Sequence, residues 1–209
     1  IWHITPRRVV WKSEAGLEGV ENLLQPGPGQ SVLGRPNPVC VLKSGGSVVL
    51  DFGVELQGGI EIFTGIQPDQ VPVPVRIRFG ESVNEVMAKV GEKGATNDHS
   101  IREELVNLPW LGKRRIGSTG FRFVRIDLEQ AEREVVIQEI RAVLEVRDIP
   151  YAGSFKSNDE RLNHIWEVGA WTVHLNMQDY LWDGIKRDRL VWVGDMHPEW
   201  RTIRTVFGL

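Results

Sequence analysis

Hydrophobic and polar residues alternate with a period of two through much of the first 150 residues and recur at nearly every fourth position after Tyr151. Val73, Val75, Ile77 and Phe79 alternate with Pro74, Arg76 and Arg78, which predicts a strand with one buried and one wet face. Pro74 suits an edge or a strand start, because it has no N–H to give to a ladder. Phe121, Phe123, Val124 and Ile126 around Arg122 and Arg125 read in the same way. Further alternating or β-branched runs at residues 8–12, 47–52, 59–64 and 135–146 lie between Gly/Pro turn signals. Together these strands predict a mainly β fold, a jelly-roll-type β-sandwich. Residues 84–120 are less regular and read as a long excursion, with Asn97-Asp98-His99 on it and a short helical piece near residues 101–107.

Beyond residue 150 the pattern is helical. Ser157 and Glu160 have the spacing of a capping box, and Leu162, Ile165, Trp166, Gly169, Val173 and Met177 then recur at helical intervals, predicting a helix over about residues 158–178. Trp171 and Leu175 lie off the main stripe, so burial on more than one side is expected. A second helix is predicted to begin at Pro198, a residue suited to a first helical position, with Trp200, Ile203, Val206 and Phe207 on one face. Ten of the eleven prolines lie at or before Pro150 and five of the eight tryptophans lie between Trp166 and Trp200, so the expected domains are 1–150 and 151–209. Two helices with broad apolar faces do not close a core. The second domain is therefore expected to be cut off shortly after it starts, in a chain excised or processed from a longer one.

A content of 41% hydrophobic residues in 209 is enough to build a real core. The net charge of −3 is small and both signs are dispersed, which leaves no basic footprint for a nucleic-acid backbone. No apolar run is long enough to cross a bilayer, so membrane insertion is not expected. Cys40 stands alone, which excludes an internal disulfide framework and reads as a small buried hydrophobe.

The chemistry is concentrated between residues 183 and 199, where Asp183, Asp188, Asp195 and Glu199 share one stretch with Arg187, Arg189, Trp192 and His197. Each carboxylate raises the cost of ionising its neighbours unless arginines or a ligand compensate, so such crowding marks a site more often than a scaffold. Gly184 and Gly194 place turns at both ends, in a loop between the two helices. The faces of Trp192 and Trp182 suit the C–H faces of a sugar, while carboxylates bind hydroxyls. Glycosidic hydrolysis needs one carboxyl to protonate the leaving oxygen and a second to activate water or attack the anomeric carbon. The bland alternative is an ion-paired loop. A metal held by Asp188, Asp195, His197 and Glu199 fits no standard loop spacing, so neither metal nor cofactor is expected. Trp166, Trp171 and Trp200 read as core, His164 and His174 as structural, and His197 as a cap on the second helix.

The segment resembles the central motif of the α-L-rhamnosidases, glycoside hydrolase family 78: an aspartate, an Arg-acid-Arg triplet, then Trp-x-Gly-Asp. Here these are Asp183, Arg187-Asp188-Arg189 and Trp192-Val193-Gly194-Asp195. Upstream, Leu50-Asp51-Phe52-Gly53 with Gly58-Gly59-Ile60, and Thr119-Gly120-Phe121-Arg122-Phe123-Val124, are similar to turns of that family's ancillary β-domain. The resemblance implies an (α/α)6 catalytic barrel behind β-sandwich domains, inversion at the anomeric carbon, a rhamnose-containing oligosaccharide or glycoside as substrate, and a periplasmic or secreted location. By the same resemblance Asp188 is the general acid, Asp183 and Asp195 hold rhamnose hydroxyls and tune that acid, Trp192 lines the sugar pocket, and Arg187 contacts substrate or orients a carboxylate. Trp182 is a further sugar-facing aromatic. Many members carry glutamate where Asp188 stands, one methylene longer. The family's base is a glutamate several helices further along, expected beyond Leu209, so the chain alone is not expected to hydrolyse rhamnosides.

Two other classes compete. One is a non-catalytic carbohydrate-binding protein, and the other is an (α/α)6-barrel glycoside hydrolase of different linkage preference. Asp188→Asn in a complete parent polypeptide separates the first from an enzyme.

Overall fold

The computed structural model describes residues 1–33, 38–92, 102–130 and 132–209. The chain divides into two compact units, Ile1–Leu144 and Glu145–Leu209.

The first unit is mainly β and antiparallel throughout. Its strands are β1 (Trp2–Ile4), β2 (Arg8–Lys12), β3 (Leu17–Glu18), β4 (Cys40–Leu42), β5 (Ser47–Thr64), β6 (Val73–Gly80), β7 (Arg102–Leu108), β8 (Gly112–Leu128) and β9 (Val135–Leu144). They are joined in the order β3-β4-β9-β5-β8-β6-β7, with β1 added to β9 and β2 to β5. The two runs expected at 47–52 and 59–64 are the halves of one strand, β5. Its first half lies between β2 and β8, and its second between β9 and β8, with the register shifting between Asp51 and Leu56. At that shift Gly53 has φ +90°, a conformation that bulges the strand and that side chains rarely adopt. Val48, Val49 and Leu50 are all fully buried in succession, so both faces of β5 are covered, as a sandwich core requires. Phe121 sits between Phe52 and Phe79 in two edge-to-face contacts, with centroids 5.7 and 5.1 Å apart.

The irregular stretch is more ordered than its sequence suggests. It holds a short helix, α1 (Val83–Met87), then β7 and the first half of β8. The helical piece expected near residues 101–107 is a strand from Arg102 onward; residue 101 and Asn97-Asp98-His99 lie outside the described residues. Glu103, Glu104 and Leu105 are good helix formers, but pairing overrides propensity: β7 joins β6 from Val73↔Leu108 to Phe79↔Arg102, and Glu103 binds both Arg76 and Arg78. That ion pair explains why Arg78, expected on a wet face, is only 5% exposed. Cys40 is buried, and desolvation first, with the Glu21 charge second, pushes its thiol up to about 12.

The second unit opens with α2 (Glu160–Asn176). Its cap is Asp159, whose carboxylate accepts from the Arg161 N–H, rather than the expected Ser157–Glu160 box. Ser157 is held instead by Asn163, which accepts from its N–H at 2.8 Å and donates to its carbonyl at 3.1 Å. The second helix, α3 (Val193–Thr202), begins five residues before Pro198 and continues into one π-helical stretch, Ile203–Phe207. Pro198 is therefore inside the helix, where it lacks the N–H that would bond Gly194, and His197 is an exposed helical residue rather than a cap.

Ala170, Met177, Ile203, Val206 and Phe207 form the core of this unit, with Ile149, Trp166, Val173 and Leu181 packed on it. Trp200, expected in that core, is half exposed with the Arg204 guanidinium 6.0 Å from its ring. His174 is structural: its Nε2 lies 2.8 Å from the Arg147 carbonyl, and its ring meets Phe207 and Tyr151. The chain is strapped down where Ala152 and Gly153 both donate to the Val206 carbonyl, at 2.7 and 2.9 Å. A side chain on Gly153 would meet the Thr205 carbonyl oxygen at 1.9 Å. Among the described residues, no helix is long and apolar enough to cross a membrane.

Candidate active site

The acidic segment leaves α2 through a tight turn. Met177 and Leu181 form an isolated bridge, and the Trp182 N–H returns to the Asn176 carbonyl at 3.0 Å. The next residues close a loop on themselves: the Asp183 N–H donates to the Leu190 carbonyl and the Leu190 N–H donates to Asp183 Oδ1, both at 2.9 Å. Inside this loop Ile185 and Lys186 are buried and anchor it, which leaves Arg187 and Asp188 at the surface.

The turn at Asp188 is strained. Asp188 and Arg189 have φ of +54° and +56°, the left-handed region, and the Arg189 N–H reaches the Arg187 carbonyl at 2.6 Å. Each such residue costs about 1–2 kcal/mol, least for Asp, and persists only where the surroundings fix it. Arg189 does the fixing: its Nε donates to the Ile185 carbonyl at 3.0 Å, and its guanidinium lies 5.5 Å from the Trp182 ring. Arg187 makes a loose ion pair with Asp188, 3.7 Å from Nε to Oδ2.

Trp192 caps α3, so Asp195 stands in the first turn of a helix, where the helix N-terminus favours a negative charge. Asp183, Gly184, Arg187, Asp188, Trp192 and Asp195 line one cavity of about 410 Å3, within the usual range of small-ligand sites. Five of the six residues singled out in the sequence thus share one cavity, while Trp182 stands outside its lining, packed on Arg189. A second cavity of about 260 Å3 in the β unit is lined by Asn22, Gln25, Gln138, Val32, Val39, Gly27 and prolines, with no titratable side chain. Three carboxylates, a guanidinium and an indole around one cavity can bind several hydroxyls, cover an apolar sugar face and transfer a proton. Among the described residues, no group of three or more His, Cys, Asp and Glu side chains is arranged to hold a metal ion.

Glu199, counted in the acidic stretch, is paired near this cavity with Asn176, which the sequence did not single out. Glu199 is buried, and its Oε1 accepts from Asn176 Nδ2 at 3.2 Å. Desolvation, then the negative charges of Asp195 and Asp183, raises its carboxyl above the ordinary glutamate range, and the Asn176 hydrogen bond opposes them. The signal was the four-residue interval from Asp195 to Glu199, which puts both on one face only once α3 is known to start at Val193.

Comparison with known proteins bears on both units. The family model of the bacterial alpha-L-rhamnosidase 6 hairpin glycosidase domain matches residues 150–209. An alpha-L-rhamnosidase of Formosa agariphila is 31% identical over 78 residues, which are 37% of this chain and 8% of that protein. Among solved structures, a rhamnosidase from Klebsiella oxytoca with rhamnose bound aligns over 80% of this chain and 34% of its own, with a TM-score of 0.68 and 21% identity. The GH78 family rhamnosidase of Bacillus sp. GL1 aligns over 91% of this chain and 19% of its own, with a TM-score of 0.62 and 21% identity. These likenesses show the fold, and the chain spans about a third or less of each of these proteins. The part of the chain that matches the bacterial alpha-L-rhamnosidase six-hairpin glycosidase domain, residues 150–209, holds the whole acidic segment.

Proposed function

We propose that the acidic cavity is the sugar-binding part of an active site that hydrolyses terminal α-L-rhamnosyl linkages with inversion. The observation that supports this most is the convergence of Asp183, Arg187, Asp188, Trp192 and Asp195 on one cavity within the segment that matches the rhamnosidase domain. Asp188 is the general acid. It gives its proton to the glycosidic oxygen as that oxygen leaves the anomeric carbon, while water adds from the opposite face with help from a second carboxylate. Asp183 keeps one oxygen on the Leu190 N–H and offers the other to a rhamnose hydroxyl; Asp195 binds a second hydroxyl, and Trp192 covers the sugar's apolar face. Arg187, loosely paired with Asp188, moves onto the substrate or keeps the spent acid's charge balanced.

No base is assigned among the described residues. An inverting pair stands about 6.5–9.5 Å apart across the sugar, and the 209-residue chain by itself is inactive on this account. Turnover of an aryl α-L-rhamnoside by the purified chain would refute that. The acid role is tested by Asp188→Asn in a polypeptide carrying these residues within a complete six-hairpin domain. Turnover is expected to fall by about 10²–10⁴ with rhamnose binding retained. Unchanged turnover would move the proton donor elsewhere, and binding without any turnover in the parent would favour a carbohydrate-binding protein.

A further inference from the structure

Glu199 lies outside the lining of the acidic cavity, yet three features connect it to that cavity. It is one helical turn from Asp195 on α3, so the two carboxyls share a face with their Cβ atoms about 5–6 Å apart. It is buried to 7% exposure, unlike the exposed Asp195. Its partner, Asn176, is the last residue of α2 and accepts the Trp182 N–H on its carbonyl at 3.0 Å, immediately before Asp183. One asparagine therefore grips α3 with its side chain and the start of the acidic loop with its backbone.

We propose that Glu199 is a positioning residue of the rhamnoside site: through Asn176 it fixes α3, with Asp195, against the loop that carries Asp183 and Asp188, and its carboxyl sets the charge beneath the two sugar-binding aspartates. The assignment rests on the rhamnosidase reading for its ligand but not for its geometry. The charged groups acting on Glu199 are Asp195 from its own helix and Asp183 from the loop, while α2 contributes the neutral Asn176 amide. A Glu199 that keeps its proton longer than an ordinary glutamate adds no third negative charge under Asp183 and Asp195. Once ionised, it opposes both and loosens the site.

Side-chain carboxyl NMR of the purified chain, followed across pH, tests this without any sugar. The side-chain carboxyl signals of Asp183 and Asp195 are expected to move as Glu199 ionises. E199Q keeps an oxygen acceptor for Asn176 and is expected to remove that linked movement from both aspartate signals while helical circular dichroism is unchanged. N176A deletes the hydrogen bond that holds the Glu199 carboxyl down, so the Glu199 titration moves to still higher pH and the Trp182 amide signal shifts. Asp183 and Asp195 signals that ignore the ionisation of Glu199 in the wild-type chain, which requires no variant, would overturn the proposal. So would the same movement surviving E199Q, or an N176A chain with Glu199 and Trp182 unmoved. If the coupling is found but the complete enzyme ignores rhamnosides, Glu199 keeps its role in the cavity and only the ligand assignment fails.

Discussion

Each unit of this protein buries carboxylates, and Asp51 in the first and Glu199 in the second are treated in opposite ways. Asp51 in the β unit is 1% exposed and receives two hydrogen bonds from Arg122, at 2.8 and 3.0 Å, one from Arg8 at 2.9 Å and one from the Gly53 N–H at 2.7 Å. Desolvation works against its charge, but Arg122, Gly53 and Arg8 outweigh it and hold the carboxyl down at about 2. Glu199 in the helical unit has one amide donor and two aspartates in reach, and its carboxyl is raised. The first arrangement compensates a charge so that a strand can bulge. The second gives a buried carboxyl no counter-charge, so it keeps its proton longer, an arrangement met more often beside a site than in a scaffold.

The contrast extends to packing, and its sharpest break is in the β core. Phe121→Ala removes the centre of the Phe52–Phe121–Phe79 cluster and is expected to cost about 3–5 kcal/mol, read as a lower denaturant midpoint for the β unit. A loss below 1 kcal/mol would mean that the cluster is not the centre of that unit.

Asp51→Ala comes next. It removes the carboxylate that Arg8 and Arg122 share, at a cost of about 2–3 kcal/mol, below the value for a wholly buried pair because both arginines are partly exposed. The pH dependence follows from the direction of the shift. The folded-state carboxyl, at about 2, lies below the ordinary 3.8, so its contribution is present above pH 4 and is lost as pH falls towards 2. Asp51→Asn should flatten the acid limb of the stability curve over that interval.

Glu199→Gln has the smallest effect and the opposite sign. The folded-state carboxyl is raised, so the folded chain holds this proton more tightly than the unfolded chain does, and stability is lost as pH rises above 4.5. The substitution should change stability by less than about 1 kcal/mol at pH 4 and remove the decline at higher pH. A decline that persists in E199Q would show that Glu199 is not its source.

How much of this was legible in the sequence depended on whether local pattern or distant pairing decided the outcome. The alternation Val73, Val75, Ile77, Phe79 fixes β6 without further information, and the spacing of Leu162 to Met177 does the same for α2. β7 was not legible, because Glu103 and Glu104 favour a helix until Arg76 and Arg78 on a neighbouring strand provide partners. The start of α3 was misplaced for a related reason. Pro198 reads as a first helical position, whereas the helix tolerates it in its second turn, so Asp195 was read as a loop residue, off the helix that carries Glu199. In the candidate site, the residues named by motif spacing were found around one cavity. Arg189 and Glu199 stand in the acidic segment, but their contacts, like Asn176 itself, became visible only as hydrogen bonds and burial.

The central claim is that the strained turn at residues 188 and 189 presents a general acid to a rhamnoside. Leaving-group dependence tests it most directly, in D188N within a complete six-hairpin domain. A dinitrophenyl rhamnoside departs without protonation, whereas an alkyl rhamnoside needs the proton. The account predicts a loss of about 10²–10⁴ on the alkyl substrate and less than about tenfold on the dinitrophenyl one. Equal losses on both would contradict it.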